Sequence, residues 1–591
     1  MCKELHPERR GISVVPRVVR QKIWNLPQRN SDIERQLVES ANIGPVTASV
    51  LASRGVVTAD QALSQLSGRG EMLHDPFRIP DMERAVDRIR HAIQAQERVL
   101  IYGDYDVDGI TSTSLYVEFF RARGLDVAFQ LPNRFRDGYG FNMDTITQLR
   151  DRGISLLITA DCGTTSRDEV TYAASCGIDV IVTDHHEPGD DALPPALALL
   201  NPCRADSSYP FRGLCSGALA FKVALAYDQK YDGGGDGSPD DLESRDGLDL
   251  VALATIADMA PLVNENRTLV REGLKQLSTD ERVGIKALKD VANVSGTCRA
   301  ETIGFALAPR INAAGRMDDA AIGVRLLTTH SLEEARRIAS TMDRLNDERK
   351  RTQHETELEA EGMLGPSYDG SGPVVVSGVG WHQGVVGIVA ARLADRYYRP
   401  AVVIALNEDG IGRGSARSIP EFDLFRGMNQ CRMHLDSFGG HQFAAGLTIR
   451  QENIPAFREA FTAIVHESMN GADVAPRVNI DAEVALSEIS FGVVDELSAL
   501  GPFGAENPEP ILAARQVQVT SSRRVGHGHL SLKFRSRNGV TYDAIGFGMG
   551  GLLDDGTIGQ GPVDAAFKVS RDSWRGTDRL RLQLLDVRQS S

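Results

Sequence analysis

Three short apolar runs, each closed by acidic or imidazole side chains, restrict what this chain can fold into. Val99-Leu100-Ile101-Tyr102-Gly103 runs into Asp104-Tyr105-Asp106-Val107-Asp108-Gly109. Leu156-Leu157-Ile158-Thr159-Ala160 runs into Asp161-Cys162-Gly163, and Val180-Ile181-Val182-Thr183 runs into Asp184-His185-His186-Glu187. Such runs, apolar and rich in β-branched residues, suit strands buried on both faces. Helical stretches lie between them, the first from Thr111 to Arg123. This alternation implies a largely parallel sheet with right-handed crossovers. Its strands are expected at 98–103, 125–131, 155–160, 178–183 and 196–200. In an open α/β sheet ligands bind beyond the carboxyl ends of the strands. Asp104, Asp106, Asp108, Asp161, Asp184, His185 and His186 can therefore converge there.

Carboxylates packed this closely repel one another unless a cation neutralises them. A set of carboxylates and imidazoles without cysteine favours a harder ion, Mn2+ or Mg2+, over structural zinc. There are more carboxylates than one ion needs. Two ions about 3.5–4 Å apart with a bridging carboxylate would use them all and would suit in-line displacement at phosphorus. Asp-x-Asp-x-Asp-Gly also opens a calcium-binding EF-hand loop, but the position that needs glutamate is Leu115, and no helix leads into the loop. A solvated acidic turn is the plain alternative. No Walker A sequence is present, and Gly378-x-Gly380 lacks a third glycine at Gln383, so neither a P-loop nor a dinucleotide site is expected.

At 591 residues the chain is too long for one core, and about three to five domains are expected. No run approaches the roughly 18 apolar residues of a membrane helix. Met1 to Arg20 is basic and polar, without the apolar core of a signal peptide. The seven cysteines are scattered without a Cys-x-x-Cys pair, which suits reduced thiols in the cytoplasm. The net charge of −15 argues against nonspecific nucleic-acid binding by the whole surface. From Ile511 onward, however, twelve basic residues meet seven acidic ones, a local net of +5. A negative body with a basic C-terminal module suits local capture of a polyanion; an ordinary solvated surface would have the same counts.

Residues 1–95 read as an N-terminal helical segment with few chemical signals. The glycine- and aspartate-rich stretch 231–247 reads as a flexible surface insertion. Leu248 to Ile256 is an apolar helix that ends near Asp258 and Pro261, a possible site residue or an ordinary helix boundary. Arg310-Ile311-Asn312-Ala313-Ala314-Gly315-Arg316 couples arginine forks to small residues, which suits phosphate but also a surface helix–turn. Ser331 to Leu364 reads as a long, charged connector helix.

A second α/β lobe is expected over about 370–468. Three glycine-rich turns lie in or near it: Trp381-His382-Gln383-Gly384, Gly412-Arg413-Gly414-Ser415-Ala416-Arg417-Ser418 and Gly439-Gly440-His441-Gln442-Phe443-Ala444-Ala445-Gly446. Glycines free backbone N–H groups to cradle an anion, and Arg413 and Arg417 supply charge, so this lobe reads as phosphate-binding. Structural turns are the alternative. From about 475 short strands dominate, with interleaved basic and aromatic residues, which suggests an OB-like barrel that binds single strands or a purely structural β-domain.

Asp184-His185-His186 after a strand, together with Asp104-x-Asp106-x-Asp108-Gly109, Asp161 and Asp258, resembles the DHH phosphoesterase family. The stretch Gly439 to Gly446 resembles the associated second domain of that family. Arg310–Arg316, Gly412–Ser418 and Gly501-Pro502-Phe503-Gly504-Ala505-Glu506-Asn507-Pro508 extend the likeness to its bacterial single-strand-specific DNA exonuclease branch, from about residue 95 to the C-terminus. The resemblance implies a multidomain α/β protein: a DHH domain at 96–320, a helical connector at 321–368, a DHH-associated domain at 369–470 and an OB-like β-barrel at 471–591. It implies a 5′→3′ exonuclease in DNA repair and recombination that uses two Mn2+ or Mg2+ ions and releases 5′-mononucleotides.

By the same resemblance Asp104, Asp106, Asp108, His185 and Asp258 would ligate metal and Asp161 would bridge the two ions. Asp184, His185 and His186 would form the catalytic signature, with Asp184 and His186 supporting the site or the departing phosphate. Arg310, Asn312, Arg316, His382, Arg413, Ser415, Arg417 and His441 would bind the DNA, including a 5′ end. The two lobes would form a groove too narrow for a duplex. The implied partners are single-stranded DNA, a single-strand-binding protein and a helicase, with the chain a cytoplasmic monomer away from membranes. Two other readings remain open: a phosphodiesterase of short RNA or cyclic dinucleotides, and a non-catalytic replication scaffold. The added barrel argues against the first and the filled motif positions against the second.

Overall fold

The computed structural model describes residues 22–590 apart from 68–71, 134–139, 190–191, 236, 239–240, 243, 280, 366–367, 470–473, 527, 555, 560 and 575–576. The chain divides into two compact units, one formed by Asn346–Arg477 and the other by Trp24–Leu345 with Val478–Ser591. Among the described residues no helix is long and apolar enough to cross a membrane.

The larger unit contains a five-stranded sheet of β1 (Val99–Gly103), β2 (Ala128–Gln130), β3 (Leu156–Ala160), β4 (Asp179–Thr183) and β5 (Ala198–Leu200). Spatially the order is β2-β1-β3-β4-β5 and every pairing is parallel. The chain leaves β1 toward one side and returns to its other side, so the order reverses between β1 and β3. Such a switch point opens a crevice at the carboxyl ends of the strands. One face of the sheet carries an apolar core shared with the helices Met82–Ala95, Val107–Ala122, Ser216–Tyr227 and Leu248–Ala257, and a smaller core covers the other face.

The same unit ends in a six-stranded sheet: β6 (Ala482–Glu483), β7 (Leu512–Val525), β8 (His529–Arg535), β9 (Thr541–Gly546), β10 (Val563–Trp574) and β11 (Thr577–Gln589). Its order is β6-β7-β8-β9-β11-β10, and β7 also pairs with β10, which closes the barrel. The N-terminal helices Ser31–Ala41, Pro45–Ser53 and Ala59–Leu66 bury Leu37, Val50, Leu51 and Ala62 in the barrel's own core, beside Val494, Leu512, Phe534 and Phe567. Glu496 fastens this joint by accepting from Gly44 N and Thr47 Oγ1 at the start of the second helix.

The stretch 231–247, expected to be flexible, is anchored at its described residues. Leu242 is buried, Arg245 pairs with Asp228 and Asp241, and Gly237 O accepts from Leu73 N. A leucine seated in the core holds a segment that its glycine and aspartate content would otherwise leave loose. Residues 236, 239–240 and 243 of it lie outside the described residues.

The smaller unit holds a mixed five-stranded sheet, Val374–Val379, Ala401–Leu406, Ile411–Arg417, Ser437–Gly440 and Ala444–Arg450, with Gln383–Tyr397 and Ile454–Met469 among its helices. The charged connector is one helix of 33 residues, Leu332–Leu364.

Candidate metal centre

Three aspartates hold equivalent places in the parallel sheet. Asp104, Asp161 and Asp184 are each the first residue beyond β1, β3 and β4, and their N–H groups donate to Ala160 O, Thr183 O and Leu200 O, the last carbonyls of the neighbouring strands. Parallel register thus sets the three side by side. Asp161 has the left-handed φ of 71°, a strained geometry for a non-glycine residue of the kind found at functional sites.

The turn after β1 is compressed. Asp106 caps the helix Val107–Ala122 by accepting from Gly109 N at 3.1 Å. A Cβ on Gly109 would lie 2.4 Å from Asp104 O, so only glycine lets the helix start this close to the strand end. Asp108 lies in the first turn, and its two oxygens accept from Ser216 N at 2.8 Å and Gly217 N at 2.7 Å. These N–H groups open the helix Ser216–Tyr227, where a carboxylate is favoured by the helix dipole. Ser216 Oγ also donates to Asp161 Oδ1 at 3.2 Å.

Asp104, Asp108, Asp161 and Asp184 are only 4, 1, 2 and 1 % exposed. Burying four carboxylates without neutralisation is very unfavourable. Among the described residues three triads have ligand atoms within 4.8 Å of one another: Asp104–Asp106–Asp161, Asp108–His185–Asp258 and Asp161–His185–His186. His185 Nε2 lies 3.2 Å from Asp161 Oδ1 and 3.7 Å from both Asp108 Oδ2 and Asp258 Oδ2. That nitrogen is buried without a hydrogen-bond partner among the described residues. An orphaned imidazole nitrogen facing three carboxylates fits a divalent cation, and the oxygen-rich donor set fits a hard one.

The electrostatics agree. Burial, and then the charges of Asp108, Asp106 and Asp104, push the Asp161 carboxyl well up. Burial raises Asp108 as well. Asp258 is pushed up to about 8 by burial and by Asp108 and Asp106. Burial lowers the His185 imidazole, which favours the neutral form that ligates metal.

Asp184 is placed differently. Its Oδ1 accepts from His185 N at 2.8 Å and His186 N at 3.2 Å and meets His186 Nδ1 at 2.7 Å, while Oδ2 accepts from Thr164 N at 2.9 Å. Burial pushes this carboxyl up, but the hydrogen bond and charge of His186 outweigh it and hold it at about 2. In turn Asp184 overcomes the effect of burial on His186 and raises that imidazole to about 9. Asp184 therefore orients the His185-His186 loop and favours the cationic form of His186. Asn201 carries no sequence signal that ties it to the site; it is fully buried and donates to Thr164 Oγ1 at 2.9 Å and His186 O at 2.8 Å. Ser216 escapes sequence reasoning too, its one signal being a small polar residue at the start of an apolar helix.

The helix Ala308–Met317 packs on the aspartate turn. A Cβ on Gly315 would meet Tyr105 O at 2.4 Å, and Asn312 Oδ1 accepts from Val107 N at 3.2 Å. Arg310 donates to Asp343 at 2.9 Å and to Ala306 O at 2.7 Å. Arg316 is half-buried in the last turn of this helix.

The smaller unit gathers the other expected binding residues. His382 caps the helix Gln383–Tyr397, its Nδ1 accepting from Gly384 N at 3.0 Å. Arg413, Ser415 and Arg417 alternate along one strand and so share a face. Arg417 donates to Ser415 Oγ at 3.0 Å, and a Cβ on Gly387 of the helix would stand 3.1 Å from that oxygen. Gly446 pairs opposite Ser415. Arg413 and His441 are exposed. Ser415 and Arg417 thus lie against the first turns of a long helix, a setting that favours anions.

Three family models match the chain: "DHH family, N-terminal domain" over residues 98–255, "DHHA1 domain" over 371–467 and "RecJ OB domain" over 480–586. The chain is 36% identical over 567 residues to the single-stranded-DNA-specific exonuclease RecJ of Bacillus subtilis, covering 95% of this chain and 70% of that protein. It is 35% identical over 583 residues to the protein of the same name from Salmonella typhimurium, covering 95% and 98%. Among solved structures it is similar to RecJ of Thermus thermophilus in complex with Mn2+, with a TM-score of 0.81, 27% identity and coverage of 96% of this chain and 80% of that one. A Mg2+ complex of RecJ from the same organism matches with a TM-score of 0.75, 26% identity and coverage of 96% and 79%.

Proposed function

This chain belongs to the RecJ family, and we propose that it hydrolyses single-stranded DNA from the 5′ end, releasing 5′-mononucleotides with the aid of two divalent ions. The observation that carries this reading is the set of overlapping triads that share Asp161 and His185. Asp104 and Asp106 would hold one ion, Asp108, His185 and Asp258 the other, and Asp161 both. When bound, Mn2+ or Mg2+ polarises the scissile phosphate and lowers the pKa of water enough to make it a nucleophile at neutral pH.

The chain's own groups supply the rest. Backbone donors from Ser216 and Gly217 fix Asp108 before substrate arrives, so no reorganisation is needed as charge develops. His186 meets the Asp184 carboxylate through Nδ1, which favours its cationic form, and would stabilise a phosphate oxygen or give a proton to the departing alkoxide. Ser415 and Arg417 bind backbone phosphate, Arg417 through a planar fork that matches two phosphate oxygens. Such contacts carry no base information and leave sequence unread.

The test is a long single strand labelled at either end, incubated with the protein and Mn2+, with a duplex and Asp161→Ala as controls. The expected result is immediate release of the 5′ label as mononucleotide, an intact duplex, and an Asp161→Ala protein that binds the strand without cutting it. Release of the 3′ label first would overturn the polarity. Cleavage of dinucleotides alone would move the assignment to small-nucleotide hydrolysis.

A further inference from the structure

One motif takes no part in the chemistry above. Gly501-Pro502-Phe503-Gly504-Ala505-Glu506-Asn507-Pro508 lies between the helix Phe491–Ala499 and β7 of the barrel. It nevertheless reaches the turn that carries a metal ligand. Asp258 ends the helix Leu248–Ala257, and the next long helix begins at Asn264. Between them Leu262 N donates to Ala505 O at 2.8 Å. A Cβ on Gly504 would stand 2.7 Å from Leu262 Cδ1, so the loop is seated directly on this turn.

The loop is held from the same side. Arg267, one turn into the following helix, donates through Nη2 to Gln65 O at 2.7 Å, Ala499 O at 3.3 Å, Leu500 O at 3.0 Å and Gly501 O at 3.2 Å. Arg271 adds a bond to Gly501 O at 3.1 Å. Asn507 closes the loop on itself, donating to Leu500 O at 3.1 Å and Pro502 O at 2.9 Å. Asn266 completes the frame by donating to Pro261 O at 3.0 Å.

Asp258 depends on this frame more than its companions do. The Asp108 carboxylate takes two backbone donors, whereas the described contact of the Asp258 carboxylate is with the His185 imidazole at 3.7 Å. Its side chain is also the most exposed of the triad, at 28% against 18% for His185 and 0% for Asp108. Met259 beyond it is left-handed, with φ 58°. The direction of the Asp258 carboxylate is thus set by where the turn 259–263 is held.

We infer that the 501–508 loop and the Arg267 clamp are positioning elements for catalysis: they fix Asp258 and so set the affinity of the Asp108–His185–Asp258 group for its divalent ion. Supporting shells of this kind typically contribute about 10–100-fold to metal affinity. The inference rests on the reading of Asp258 as a ligand.

The experiment measures Mn2+ binding to the full-length protein without DNA, by calorimetry and by EPR of free Mn2+, for the parent, Arg267→Ala, Arg267→Lys, Gly504→Ala and Asp258→Asn. Circular dichroism melts and hydrogen exchange at 258–266 accompany each. The expected result is about 10-fold or greater weakening of one class of Mn2+ site in Arg267→Ala and Gly504→Ala, the other class unchanged, and partial recovery in Arg267→Lys. Unchanged isotherms in both variants despite faster exchange at 258–266 would overturn it. Equal weakening of both classes would do so as well, because it marks general loosening; if Arg267→Ala does not fold, Gly504→Ala decides alone. Should Asp258→Asn itself leave the isotherm untouched, the ligand reading fails; should it lose a site that Arg267→Ala and Gly504→Ala keep, only the positioning role fails.

Discussion

Asp108 and Arg417 both lie beside the first turns of a helix, yet the two helix starts face groups of opposite charge. At Ser216–Tyr227 the opening N–H groups are taken by Asp108, a carboxylate of the protein itself. At Gln383–Tyr397 the neighbours are His382, Ser415 and Arg417, groups that complement an anion from outside. The first arrangement buries negative charge and aligns it for a cation. The second leaves charge half-exposed, a setting that suits an anion. Chemistry at phosphorus needs fixed ligands, whereas backbone binding tolerates some freedom.

That contrast is most sharply broken at its two central residues. Asp161→Asn keeps the size of the side chain but removes the charge shared by two triads, and kcat should fall by about 10³-fold or more while the Kd for a single strand changes little. Arg417→Ala should do the reverse, raising KM with little change in kcat and lowering kcat/KM by about 10–100-fold. It should also flatten the dependence of log Kd on log salt by about 0.7 for each phosphate no longer neutralised. Arg417→Lys should restore part of the salt dependence and less of the affinity, since an ammonium lacks the fork. If Arg417→Ala lowered kcat and left KM alone, the division between the two regions would not hold.

Backbone packing offers a smaller but cleaner contrast. A methyl on Gly109 meets Asp104 backbone at 2.4 Å, whereas one on Gly446 meets none of the described residues within 4 Å. Gly109→Ala should therefore destabilise by about 1–3 kcal/mol and weaken Mn2+ binding, while Gly446→Ala should melt with the parent. Thermal denaturation of the two variants side by side checks this.

Much of the first site can be read from the chain because it is written in local pattern. An apolar run that ends in Asp is visible without any knowledge of the fold, and parallel register then does the rest, placing Asp104, Asp161 and Asp184 on adjacent strand ends. What cannot be read is long-range. The N-terminal helices look featureless alone because their apolar faces are matched to a barrel more than 400 residues later in the chain; Gly44 and Glu496 carry no mark of each other. The role of Asp184 is half legible: its place beyond the strand is a pattern, but its saturation by Thr164, His185 and His186 donors is a property of the folded loop. Asn312, singled out beside arginines as a phosphate contact, has its oxygen on Val107 N, which only the approach of Gly315 to Tyr105 reveals.

The smallest effect concerns pH and separates the two regions by their response to metal. Burial and neighbouring carboxylates raise the folded-state pKa of Asp258 to about 8 and push Asp108 and Asp161 upward too. A carboxyl raised above its unfolded value supports folding while it is protonated, and that support is lost as pH rises through the folded-state pKa. The metal-free protein should therefore lose stability progressively from about pH 4, the ordinary aspartate value, to about pH 8, the raised Asp258 value, and little further above it. Mn2+ binds the deprotonated carboxylates, so it should displace protons and return that stability. The rise in Tm on adding saturating Mn2+ should be larger at pH 8.5 than at pH 6, by a few degrees for the transition of the larger unit. Differential scanning calorimetry at the two values, with and without Mn2+, measures it. An Asp258→Asn protein should show less of the pH dependence, and Arg417→Ala should show all of it, because the arginine site contributes no carboxyl to the titration.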